Sequence, residues 1–194
     1  MLTRIPDSWG WMAPDLRIRL LPFLIVTALV ALVWRPAWLG LSGGNLGAQL
    51  TFGLIGAPVA FLVAMLGQRW LSRRRGAMSA PGDAADAGFQ AGFYLLNGPI
   101  EEALFRGAVQ GGLGALTLPP LGFAVGTAAY VLYHRLGWSW ADTLITAFLG
   151  VPLGLAFWLL PGPPSLLGVT IVHVAATCGF LGPGPYLLRR FGMI

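Results

Sequence analysis

The chain has 194 residues, 56% of them hydrophobic and 10% charged, with a net charge of +5. A soluble domain carries about 25% charged residues, so long apolar blocks on so little charge exclude a water-exposed surface and indicate a membrane protein. The positive charge does not point to a nucleic-acid partner, because the arginines lie between the apolar blocks, where they set membrane orientation.

In chain order, residues 1–19 are mixed, with Trp9 and Trp11 suited to the headgroup level. The first span is expected over Leu20–Trp34 and the second over Leu46–Leu66. A polar stretch with Arg69, Arg73, Arg74 and Arg75 follows, then a Pro/Gly/Ala/Asp linker at 76–86. The third span is expected over Ala87–Leu113, the fourth over Pro120–Tyr133, the fifth over Trp140–Leu160 and the sixth over Ser165–Leu181. No small-x-small cleavage site follows the first apolar block, so no cleavable signal is expected. Cys178 is the one cysteine and can form no intrachain disulfide.

Six spans put both termini on one side. With the N-terminus in the cytoplasm, Arg4, Arg17, Arg19, Arg69, Arg73, Arg74, Arg75, Arg135, Arg189 and Arg190 fall inside, Arg35 falls outside, and Arg106 lies within a span. The positive-inside rule favours that orientation. The fold class is therefore all-α, a polytopic transmembrane helix bundle of about six spans.

The third span holds Glu101, Glu102 and Arg106, each costing about 2.5–3.5 kcal/mol at a helix centre on insertion scales. Such groups persist when they pair or face a wet cavity. Glu102 and Arg106 are i and i+4, acid first, and are expected to pair. Glu101 lies about 100° round the helix and is expected to be unpaired and to face the bundle interior, a setting that suits a general base. Gly98 and Pro99 should kink or widen the helix. Asn97, one turn before Glu101, is placed either to orient it or to cap a helix break.

The two histidines also lie on apolar helices. His134 closes the fourth span, with Tyr130 one turn earlier, and His173 sits in the sixth, with Thr177 one turn later on the same face. A His173 ring N–H beside the Thr177 hydroxyl gives two donors aimed at one point, as a developing oxyanion requires. There is no HExxH, and neighbouring glutamates on different faces do not readily supply two metal ligands from one helix, so no metal or other cofactor is expected, the alternative being a His/His/Glu site across three helices.

The run EEALFRG matches the EExxxR motif of the CAAX-protease and bacteriocin-processing family. YVLYH resembles that family's FxxxH motif with Tyr130 for Phe, and HVAAT resembles its HxxxN/D motif with Thr177, a shorter hydroxyl, in place of the amide. The likeness covers roughly residues 85–185. It implies a glutamate-type intramembrane endopeptidase with a four-helix catalytic core at 87–194, preceded by an N-terminal segment at 1–86 with two spans and a basic cytoplasmic loop. It further implies that Glu101 activates water with His134, that His173 and Thr177 hold the oxyanion, and that Glu102 and Arg106 are structural. The partners it implies are membrane lipid and a membrane-anchored protein or peptide substrate. The short chain looks most like the bacterial members, such as the myxosortase type, which implies the bacterial inner membrane. The competing expectation is a non-catalytic membrane scaffold or bacteriocin-immunity protein that keeps the polar cluster for helix association.

Overall fold

Apolar runs of this length can satisfy their backbone in lipid only as helices or closed barrels. The computed structural model, which describes residues 7–34 and 36–193, is helical throughout, with no strand among the described residues. Arg4 and Arg35, used in the charge count, lie outside the described residues. Helix α1 runs Trp9–Trp34, passing through a wider π-helical stretch at Leu16–Leu20 just after Pro14. It begins well before the expected Leu20, so Arg17 and Arg19 are helical residues and not part of a loop.

Helix α2, Leu46–Arg75, starts where Asn45 Oδ1 accepts the Ala48 N–H at 3.1 Å and ends at Gly76, whose φ of 68° suits a residue without Cβ. Helix α3 covers 84–116 and is capped by Asp83, which accepts the Asp86 N–H at 2.8 Å. It is α-helical to Glu102, π-helical over Ala103–Gly111 and α-helical again over Gly112–Leu116. The widening expected at Gly98–Pro99 is thus found a few residues later. Helix α4 is Pro119–Tyr133, and α5 is Trp140–Leu159, interrupted at Thr146, whose hydroxyl donates to the Thr143 carbonyl. Helix α6 is Leu167–Phe180 and α7 is Pro183–Arg190.

Apolar side chains face outward and polar ones inward. Leu54, Ile55, Val59, Leu62, Val63 and Leu66 on α2 are each more than half exposed, whereas Gln90, Asn97, Glu101, Glu102, Arg106, Gln110 and His173 are buried. Water would not tolerate that surface, but lipid does. The protein is a helical membrane bundle. Among the described residues, four stretches are long and apolar enough to cross a membrane: Trp9–Trp34, Leu46–Arg75, Trp140–Leu159 and Leu167–Arg190.

Helices α2 and α6 pack together most extensively, and small residues let their backbones approach. Gly53 sits against Ile171, Gly56 against Val172, and Gly179 against the Phe61 backbone. A Cβ at Gly179 would overlap the Phe61 carbonyl, and backbone cannot swing aside as a side chain does. Gly179→Val should therefore cost about 1–3 kcal/mol or more, read as a lower unfolding midpoint in detergent. An unchanged midpoint would refute this packing.

Two registers position the site. Helix α1 runs parallel to α3, with Trp9 on Phe89, Trp11 on Phe93 and Phe23 on Phe105. Helix α6 runs antiparallel to α3, since Glu102 meets His173, Gly98 meets Val174, and Tyr94 and Gln90 meet Gly182. Helix α4 also lies antiparallel to α3: Gly122 fits Gly114, Gly126 fits Gln110, and Tyr133 stacks on Phe105 with centroids 4.9 Å apart. Its 15 residues rise only about 22 Å, short of the roughly 30 Å of a bilayer's hydrocarbon. It stops at the level of Glu101, and the space past its end stays open.

That open space faces a basic end of the bundle. There Arg69 and Arg73 donate to the Met193 carbonyl, Arg75 pairs with Asp142, and Arg189 donates to the Pro81 and Gly82 carbonyls. These contacts gather the ends of α2 and α7 with the starts of α3 and α5.

Candidate active site

A cavity of about 1070 Å³ fills the space beyond α4. Glu101 and Asn97 from α3, Tyr130, Tyr133 and His134 from the end of α4, and His173 and Thr177 from α6 all line it. The remaining wall is mainly apolar and includes Trp11, Ile18, Trp70, Phe93, Phe148 and Phe180. The sequence motifs, far apart along the chain, therefore meet at one place, with Glu102 and Arg106 buried immediately behind it.

Glu101 is not unpaired, contrary to expectation. Its Oε1 accepts from Arg19 Nη1 and from the Tyr133 hydroxyl. Its Oε2 has no hydrogen-bond partner and lies 3.6 Å from His173 Nε2. Arg19 comes from α1, is fixed by Asp15 through bonds of 2.7 and 2.5 Å, and also donates to the Tyr133 hydroxyl at 2.9 Å. Helical geometry within α3 could not reveal a partner 82 positions away in the chain. A signal did exist: Asp15 and Arg19 are i and i+4 at the lip of an apolar run, the spacing of a helical ion pair.

Glu102 faces Arg106 as an ion pair, as expected, and has a second partner besides. Its shortest contact is to His173, whose Nδ1 lies 2.6 Å from Oε1, while Arg106 Nε is 3.4 Å from Oε2 without hydrogen-bond geometry. A carboxylate only accepts, so His173 Nδ1–H donates to Glu102. Glu102 thus orients the histidine as well as facing the arginine. Arg106 turns its other nitrogens to Thr127 Oγ1 at 3.3 Å and the Gly150 carbonyl at 2.9 Å, with the Tyr130 ring 4.9 Å from its guanidinium carbon. It ties α3 to α4 and α5.

Of the two His173 ring nitrogens, Nδ1 is taken by Glu102 and Nε2 faces Glu101. Thr177 still lines the cavity one turn along α6. His134 Nδ1–H donates to the Tyr130 carbonyl at 2.8 Å, which leaves Nε2 for the cavity. The Tyr130 ring meets His173 edge-on at 5.7 Å and His134 at 4.9 Å, setting the tilt of both imidazoles. Asn97 neither caps a break nor hydrogen-bonds Glu101; its helix continues unbroken past it, and its carboxamide makes no hydrogen bond. Among the described residues, no group of three His, Cys, Asp or Glu side chains is placed to hold a metal ion.

A buried carboxylate, two oriented histidines and a hydroxyl thus surround one cavity within a helical membrane bundle. Residues 85–178 match the family model described as Type II CAAX prenyl endopeptidase Rce1-like. Over that segment the chain is similar to the CAAX-protease family of membrane proteins. The match runs from the start of α3 into α6, so α1, which supplies Arg19, lies outside it. No curated protein and no solved structure matches the chain.

Proposed function

We propose that this protein is an intramembrane endopeptidase in which Glu101 is the general base. The observation that carries the reading is the convergence of Glu101, His134, His173 and Thr177, from three helices, on one largely apolar cavity. Arg19 and Tyr133 hold Oε1, so Oε2 is the oxygen left to take a proton. A water between Oε2 and His134 Nε2 gives its proton to Glu101 while its oxygen bonds to the peptide carbonyl carbon. The carbonyl π pair moves onto oxygen, and the oxyanion accepts from Thr177 and from His173 Nε2–H, a donor that requires the imidazolium facing Glu102. Collapse re-forms the carbonyl, breaks the C–N bond and passes the proton from Glu101 to the leaving nitrogen. The products are one acid and one amine, and the glutamate is regenerated.

The apolar walls suit a membrane-anchored protein or peptide whose tail leaves lipid for the cavity. The gathered arginines at the open end support a cytoplasmic location for that end and for both termini, in a bacterial inner membrane. The Arg19–Glu101 ion pair favours a second reading, a non-catalytic cluster that holds helices together, because it joins α1 to α3 through a partly buried contact. Comparing the termini of membrane proteins from cells carrying wild type or Glu101→Gln separates the two. The protease reading expects a set of trimmed termini that vanishes in the variant at equal membrane abundance; identical termini would refute it.

A further inference from the structure

The register of α3 against α6 places two polar pairs one turn apart. Glu101 lies opposite His173, and four residues back along α3 against four forward along α6 sets Asn97 opposite Thr177. Gly98 secures this level, since a Cβ there would come within 2.5 Å of the Val174 side chain. Both Asn97 and Thr177 line the cavity.

Asn97 is 6% exposed, and its Oδ1 is enclosed without a hydrogen-bond partner. Its neighbours toward the helix start are all engaged: Gln90 donates to Ser8 Oγ at 2.5 Å, and Tyr94 donates to Gln90 Oε1 at 3.3 Å. Across the cavity, Thr146 donates to the Thr143 carbonyl. An unsatisfied amide in apolar surroundings is costly and needs a cause. The family's third motif carries an amide on α6 where this chain has Thr177, and an amide stands instead on the facing helix.

Resting on the protease reading above, we propose that Asn97 is a catalytic residue, its carboxamide N–H donating to the oxyanion from α3 beside the Thr177 hydroxyl on α6. The amide is held back from ground-state partners and makes its bond when the carbonyl oxygen becomes negative, which is the condition for lowering the barrier.

The test uses full-length protein in its own membranes and follows over time those trimmed termini that depend on Glu101. Asn97→Leu, close in volume, should slow their appearance by about 10²–10³-fold, the usual loss for one oxyanion donor. Its unfolding midpoint should stay level or rise, because an unpaired amide is removed. The exchange Asn97→Thr with Thr177→Asn, returning the amide to α6, should recover at least tenfold of that loss, roughly one hydrogen bond's worth. Wild-type rates in Asn97→Leu, a lowered midpoint, or no recovery in the exchange would each overturn the assignment. If wild type and Glu101→Gln give the same termini, the protease reading falls and this inference with it. If they differ while Asn97→Leu matches wild type, only the role of Asn97 falls.

Discussion

Glu101→Gln in purified protein is expected to lower the cleavage rate by about 10²–10⁴-fold, the span associated with losing a general base. Glutamine fills the same space and its carbonyl can still accept from Tyr133 and Arg19, but it cannot take a proton from water. Arg19 keeps its two bonds to Asp15, so the substitution does not strand an unpaired cation. Rate and stability should therefore separate, with a large loss of turnover and little change in unfolding midpoint. A rate within threefold of wild type would remove Glu101 from the chemistry, and a collapse of both together would favour the helix-association reading.

Arg106→Met is expected to cost about 3–5 kcal/mol of stability, the range for stripping one partner from a buried ion pair. Two effects compete for the explanation, and their sizes separate them. Hydrogen bonds between membrane helices average about 0.6 kcal/mol, so losing the contacts to Thr127 and Gly150 accounts for little more than 1 kcal/mol. The rest would come from leaving Glu102 charged beside His173 with no guanidinium nearby. Adding Glu102→Gln should then return most of the loss, a coupling measurable in a double-mutant cycle of unfolding free energies. A cost near 1 kcal/mol that Glu102→Gln does not reduce would assign Arg106 to ordinary helix contacts.

The helical membrane class was legible because lipid forces hydropathy and helix to coincide; four of the described stretches, against six expected spans, are long and apolar enough to cross, and α4 agrees with its expected Pro120–Tyr133 to one residue. Glu101, Glu102, Arg106, His134 and His173 stood out because ionisable groups are rare in apolar helices. What was not legible depends on contacts between distant helices. Arg19 was placed in a polar lead-in because the mixed composition before Leu20 masks the helix that continues upstream, which only the Asp15–Arg19 spacing marks. The choice of His173 by Glu102 depends on the α3–α6 register, which small residues such as Gly98 set and which no intrahelical spacing encodes. Tyr133 was overlooked because a tyrosine near a helix end looks like an interface aromatic; here its hydroxyl turns inward to Glu101.

The brevity of α4 also bears on the lipid around the protein. A stave that ends short beside full-length neighbours gives adjoining acyl chains less apolar height to match. The bilayer there must dip or the helix must lean, at fractions of a kcal/mol per ångström of mismatch. Where the bilayer dips, water and headgroups come closer to the depth of Glu101. If Glu101 acts as proposed, a polar peptide bond would then have less distance to travel from the aqueous boundary.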